Sequence, residues 1–217
     1  EGDDLNLAMF FTPGSHPTMV PPSTAGGPTV CVHTFPTPFH LWAEKYVSGD
    51  SVVTTSVEQV SPNCWPRELK CRSRMHYYLA DQQARSLDPG ARALMVDEDG
   101  FVTEATTANI LIVDPAGGLV GPPRAKVLPG VSLKVLLDLA EQAGIGYSEC
   151  DLTPSDVAAA GEVLLASTSL CVVPVVRFNK RPIGNGQPGP IYRQLLSAWS
   201  RSVGVDIAAQ AARFAAR

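Results

Sequence analysis

FVTEATTANILIV, residues 101–113, is the stretch on which the fold turns. Its two ends, FV and NILIV, read as short apolar strands. Between them sit Thr103, Glu104, Thr106, Thr107 and Asn109. A carboxylate and several small polar groups between buried strands are unfavourable unless each finds a partner. A polar hairpin turn would account for them. So would a site built around Glu104, and the neighbouring sequence weighs between the two.

Immediately upstream, Ala91–Val96 reads as a strand and Asp97–Gly100 (DEDG) as a tight turn. Downstream, Asp114–Gly118 (DPAGG) is the next turn, followed by Leu119–Gly121. Further upstream, Pro66 suits a helix entry. Lys70–Arg85 is rich in helix formers, with Met75, Tyr78, Leu79 and Gln82 at helical spacing. Leu128-Pro129-Gly130-Val131-Ser132 leads into a helix over Ser132–Ala143, closed by Gly144 and Gly146. Thr153 is a candidate N-cap for a short helix. Glu162–Ala166 is a strand ending at Ser167-Thr168-Ser169. Val172–Phe178 is a strand whose Pro174 predicts an edge or a bulge. Ile183–Pro190 (IGNGQPGP) is a turn before a helix over Ile191–Val203, and residues 206–217 are alanine-rich and helical in character. At the other end, Leu5–Phe11 reads as a buried strand, 12–29 as a Gly/Pro-rich loop, Thr29–Thr34 as a strand broken by Pro36, Phe39–Val47 as a short helix or turn, and Asp50–Val57 as a strand.

The chain has 217 residues, 45% of them hydrophobic, with a net charge of −4. That balance, without a long basic run, argues against a nucleic-acid binder. No apolar run reaches the length of a membrane helix, and no charged-then-apolar leader suggests secretion. The five cysteines form no CxxC pair and have no histidine at ligand spacing, so no metal site is expected and a reducing cytoplasm is the expected setting. The four histidines read as ordinary surface or core residues. The sequence opens on Glu1 with no initiating Met and runs at once into a strand, as a fragment or a trimmed chain would.

Lys70 stands among Trp65, Leu69 and Met75. A partly desolvated lysine loses some of its preference for the ammonium form, and its amine can then attack a carbonyl. That is what a Schiff base with pyridoxal phosphate requires. Glu104 could supply the complementary group, a buried carboxylate that holds a proton on the pyridine nitrogen. Gly130-Val131-Ser132 lies at a helix N-terminus, where free N–H groups favour an anion such as a phosphate. Ser167-Thr168-Ser169, at a strand end, offers more hydroxyls and amides.

These features, in this order, resemble the class IV aminotransferase group, the fold-type IV pyridoxal-phosphate enzymes. That group includes branched-chain and D-amino acid aminotransferases and aminodeoxychorismate lyase. Lys70 matches its Schiff-base lysine, and Glu104, 34 residues later, its ring-nitrogen carboxylate. Asn109 matches the asparagine that follows. LPGVS, with Gly130, Val131 and Ser132, matches the phosphate site, and Thr168 in EVLLASTSLCVVPV a phosphate-binding threonine. Ser169 and Leu170 fall where backbone amides meet the substrate carboxylate, with Thr107 on the substrate side. IGNGQPGP resembles the turn before the last helix of the branched-chain enzymes. The resemblance runs from about Leu5 to Val203.

It implies an α/β fold: the pyridoxal 5′-phosphate-binding large domain over residues 1–217, a mixed-sheet barrel-like core with outer helices. It also implies transamination between an amino acid, branched-chain type favoured, and a 2-oxo acid, carried out by a homodimer with no nucleic-acid or membrane partner. Two departures stand out. Where branched-chain members carry a tyrosine to meet the cofactor's phenolic oxygen, this chain has Arg74 and Met75. Tyr77 and Tyr78 follow, but a helix begun at Lys70 would turn them elsewhere. Arg74, and Ala108 before Asn109, are closer to the lyase subgroup, which releases pyruvate. The family's N-terminal small domain, with its phosphate-binding arginine, is not found before Leu5. These departures keep two alternatives open: the lyase, and a binding protein that has lost catalysis.

Overall fold

The computed structural model describes residues 4–16 and 18–216. The chain separates into two compact units, Glu1–Pro38 and Phe39–Arg217. In the first, β1 (Leu5–Phe11) and β2 (Val30–Pro36) pair antiparallel in continuous register from Leu5 opposite Pro36 to Phe11 opposite Val30. The strand at Leu5–Phe11 forms as predicted, but it is not buried. Leu5, Leu7, Met9 and Phe11 alternate along it and all are exposed. A two-stranded ribbon has no second layer to cover an apolar face.

The second unit begins with a 3₁₀ turn at Phe39–Leu41, the short helix α1 (Lys45–Ser48) and β3 (Asp50–Thr54). Residues 55–74 are irregular, and α2 spans Met75–Leu87. The helix predicted from Lys70 therefore starts five residues late. Its N-cap, Arg74, supplies no capping hydrogen bond. The apolar spacing also pointed the wrong way. Met75, Tyr78 and Leu79 face solvent, while Ala80 and Ala84 lie fully buried against Val53, Ala93 and Met95. Two alanines bring α2 close to the sheet, and close approach rather than bulk decides the buried face.

After α2 come β4 (Arg92–Val96), β5 (Val102–Ala105), β6 (Asn109–Val113) and β7 (Leu119–Gly121), then α3 (Val131–Gln142) and β8 (Tyr147–Glu149), a strand the sequence reading missed. Next are α4 (Pro154–Ala159), β9 (Glu162–Ser167), β10 (Cys171–Phe178), β11 (Arg181–Pro182), α5 (Pro190–Val203) and α6 (Ile207–Phe214). Thr153 caps α4 through a reciprocal box with Asp156.

Nine strands form one mixed sheet in the order β5-β4-β3-β10-β9-β6-β7-β8, with β11 on β10. β5 and β6 are far apart in that order, yet Ala105 and Ala108 bridge them. The sheet therefore curls until its two arms meet at the Glu104–Asn109 turn. α3 and α5 pack on β9 and β10, and Ile110, Leu136, Leu164, Leu165 and Leu195 belong to one buried core.

Pro174 lies in a central strand, not at an edge as predicted. It pairs with Leu164 of β9, and the parallel pairing with β3 begins only at Val175. Its missing N–H therefore falls outside the β3 ladder, and the expected irregularity comes just after, between Val175 and Arg177. Glu162 receives the backbone N–H groups of Ile191 and Tyr192 at 3.1 and 3.0 Å, placing a carboxylate at the positive end of α5. Gly189 is required there, because a Cβ would sit 2.0 Å from the Glu162 side chain.

Two buried tyrosines tie the layers together. Tyr192 of α5 donates to the Tyr46 carbonyl at 3.0 Å, and Tyr46 donates to the Leu170 carbonyl at 2.9 Å. Tyr46→Phe leaves that carbonyl without its donor and is expected to destabilise the chain by about 1–2 kcal/mol. Chemical denaturation measures the loss.

Candidate active site

β5 and β6 carry the polar stretch into the wall of a cavity of about 260 Å³. Glu104 sits there at 6% exposure, with Thr103, Thr106 and Asn109 buried around it. Its Oε1 accepts from Gln59 Nε2 at 2.7 Å and from the Tyr77 hydroxyl. Burial raises the Glu104 carboxyl above the usual range; the donors Tyr77 and Gln59, the charge of Arg67 and the Leu128 backbone N–H oppose that rise.

Lys70 projects from the 55–74 segment and borders the same cavity. The residue is exposed overall, but partial burial and the cations Arg74 and Arg72 lower its ammonium pKa, against the pull of Glu104. This is the condition expected of an amine that must be neutral to react.

Thr107 holds the turn in a left-handed conformation, φ 63°, which is unusual for a β-branched residue. Its neighbours brace it. Arg92 Nη1 donates to the Thr106 carbonyl at 2.7 Å and to Thr107 Oγ1 at 3.1 Å, while the Thr106 hydroxyl donates to Asp81 at 2.6 Å. Asn109 Nδ2 donates to the Leu128 carbonyl at 2.9 Å, pinning the loop that leads into α3. Gly130 caps α3, and having no side chain it leaves the first-turn N–H groups of Val131 and Ser132 for a ligand. Ser132 is buried, and Val131 is 75% exposed. Thr168 lies in the turn after β9 and lines the cavity opposite.

The cavity thus gathers Lys70, Glu104, Thr107, Asn109, Gly130, Val131, Ser132 and Thr168. Ser169 and Leu170 do not line it: Ser169 is exposed, and Leu170 is buried under Tyr46. Gln59, Arg67 and His76 line it without any signal in the sequence, since Gln59 and Arg67 lie in an irregular segment with no period to read. Tyr77 faces inward and Tyr78, 60% exposed, faces out. The expectation that both turn away assumed a helix from Lys70, and the later start of α2 changes the phase.

A phosphorylated pyridine aldehyde fits this set. The cavity holds an amine, a buried carboxylate and an anion-binding helix start. Arg67 Nε is also buried in the cavity wall with no hydrogen-bond partner, which suits an incoming anion.

Residues 4–178 match the amino-transferase class IV family, whose members use pyridoxal phosphate, and the chain belongs to that family. Among curated proteins it is 26% identical to the D-alanine aminotransferase of Bacillus licheniformis over 201 residues, 92% of this chain and 68% of that protein. It is also 26% identical to the branched-chain-amino-acid aminotransferase of Escherichia coli (strain K12) over 172 residues, 78% of this chain and 55% of that protein. The fold matches the branched-chain aminotransferase of Thermoproteus uzoniensis with a TM-score of 0.78 at 23% identity, covering 92% of this chain and 65% of that one. It matches the Escherichia coli enzyme with a TM-score of 0.77 at 24% identity, covering 85% and 60%. The α/β, fold-type IV architecture expected from sequence is therefore present, and the chain spans between about half and two thirds of these relatives' lengths.

Two outcomes test the site. A Cβ at residue 130 would lie 2.1 Å from Asn109 Oδ1. Gly130→Ala should therefore displace the α3 entry, cost about 1–3 kcal/mol and weaken binding of pyridoxal phosphate, read by denaturation and absorbance titration. The raised Glu104 pKa means that the folded chain resists ionising this group more than the unfolded chain does. Stability is lost as pH rises from the ordinary carboxylate pKa through the folded value. Glu104→Gln should raise the melting temperature of the cofactor-free protein at neutral pH, with no gain in acid.

Proposed function

We propose that this chain is the cofactor-binding part of a pyridoxal-phosphate-dependent aminotransferase, moving an amino group between an amino acid and a 2-oxo acid. The observation that carries the reading is the convergence of Lys70, Glu104, Asn109, Gly130–Ser132 and Thr168 on one cavity.

When bound, pyridoxal phosphate supplies an electron sink for the electrons of the substrate Cα–H bond. Lys70 Nζ would hold the cofactor and, as a free amine, would take the proton from the substrate Cα and deliver it to the cofactor's C4′ carbon, the shift that amino transfer requires. The Glu104 carboxylate keeps a proton on the ring nitrogen. Val131 and Ser132 N–H groups and the Thr168 hydroxyl hold the phosphate, Asn109 keeps the α3 entry in place, and Thr107 stands on the substrate side.

The branched-chain type is favoured on the IGNGQPGP turn before α5. A homodimer is consistent with the exposed apolar patch of Met75, Tyr78 and Leu79 on α2. A cytoplasmic setting agrees with five unpaired cysteines. Among the described residues, no helix is long and apolar enough to cross a membrane. One observation favours the lyase as a second reading: Arg74 lines the cavity beside Lys70, where branched-chain members would present an aromatic ring. Pyruvate release from aminodeoxychorismate, set against amino transfer to 2-oxoglutarate, separates the two.

The direct test is the visible spectrum of the purified chain with pyridoxal phosphate, followed by borohydride reduction and peptide mapping. Label on the Lys70 peptide, lost in Lys70→Ala, is the expected result; label elsewhere would sink the reading. The rate of covalent attachment should rise with pH, through a midpoint below the ordinary lysine value of about 10.4, because only the neutral amine reacts. Arg74→Ala removes a neighbouring cation and should move that midpoint upward.

A further inference from the structure

We infer that Tyr77 and Gln59 are positioning residues for Glu104: both donate to its Oε1, which fixes the carboxylate's rotation and leaves Oε2 as the acceptor for the cofactor's ring N–H. The inference rests on the proposed pyridoxal phosphate site and assigns it two residues from outside the motif stretch.

The geometry is specific. Gln59 Nε2 lies 2.7 Å from Glu104 Oε1, the Tyr77 hydroxyl donates to the same atom, and the two donors stand 3.5 Å from each other. A carboxylate oxygen has two acceptor sites, so these donors fill Oε1. The nearby Leu128 backbone N–H also favours the ionised carboxylate, and with both sites on Oε1 filled, Oε2 is the oxygen left to accept. Gln59 is itself held, because its own oxygen accepts the Val60 N–H at 2.9 Å.

Both donors stay donors. An amide does not titrate, and burial together with the adjacent carboxylate pushes the Tyr77 phenol far above its ordinary range. The charged groups acting on this cluster are Arg67, which favours the ionised carboxylate, Lys70 across the cavity, and Arg74 beside Tyr77. His76 packs on Tyr77 at 4.2 Å, and burial and Arg67 lower its pKa, so it is neutral at neutral pH. Without the two donors, burial would favour the neutral acid, which cannot pair with a pyridinium. The Tyr77 hydroxyl is thus committed to the carboxylate rather than to the cofactor's phenolic oxygen.

The test uses the full chain and three variants, Tyr77→Phe, Gln59→Leu and the pair. Infrared difference spectra against Glu104→Gln follow the Glu104 carboxyl with pH in the cofactor-free protein, and absorbance titration gives the affinity for pyridoxal phosphate. Each single variant should raise the Glu104 protonation midpoint by about one pH unit, a tenfold change in proton affinity, and weaken cofactor binding at neutral pH by about the same factor. The pair should do more than either. A melting temperature that falls while the midpoint stays put would show a merely structural role and overturn the inference. Should Tyr77→Phe fail to fold, Gln59→Leu alone decides it. If the parent chain takes up no pyridoxal phosphate, the cofactor reading fails, but the infrared midpoint still tests the two donors.

Discussion

A carboxylate can be kept in an apolar wall only if it is bonded from several sides, and Glu104 imposes that requirement on the structure around it. Its hydrogen-bond partners come from two places, the irregular segment at Gln59 and the first turn of α2 at Tyr77, and the Leu128 N–H before α3 also favours its ionised form. Each element is held where it is partly by this one side chain. Burial of about one charged group is a serious penalty against the 5–15 kcal/mol by which a domain is stable. A chain that carries such a group uses it.

The same turn closes the sheet. β5 leaves one arm and β6 enters the other, and Ala105 and Ala108 bridge across the two threonines between them, Thr106 and Thr107. The mouth of the curl is therefore where backbone polarity, the Lys70 segment and the α3 N-terminus meet. Tyr46 and Tyr192 hold the opposite side, tying α1 and α5 to the turn between β9 and β10 that carries Thr168. The cavity walls thus belong to elements distant in sequence but fixed to one another by buried hydrogen bonds.

Most of this was legible in the sequence where local chemistry is strong. Glu104, the LPGVS helix start and the serine–threonine turn after β9 are short patterns with a physical job, and the structure places Glu104, Gly130–Ser132 and Thr168 on one cavity. What sequence missed depends on tertiary phase. The α2 stripe of Met75, Tyr78 and Leu79 looks like a buried face by period, yet Ala80 and Ala84 are buried, because the sheet beneath admits only small side chains. Gln59 is invisible for a different reason: an irregular segment has no repeat to expose which residue turns inward. Pro174 predicts an edge or a bulge; the strand is central, but its pairing with β3 starts one residue later and shifts register between Val175 and Arg177. Leu5–Phe11 has the composition of a core strand, and composition says nothing of whether a second layer lies over it.

Thr107 carries one consequence further. Its left-handed backbone stores strain of about 1–3 kcal/mol, and Arg92 restrains it from outside the cavity through two hydrogen bonds. Positions 92 and 107 are therefore energetically coupled. Replacing Arg92 releases a wound turn into the site, whereas glycine at 107 removes the tension that Arg92 opposes. The two changes together should disturb the chain less than their separate effects would suggest.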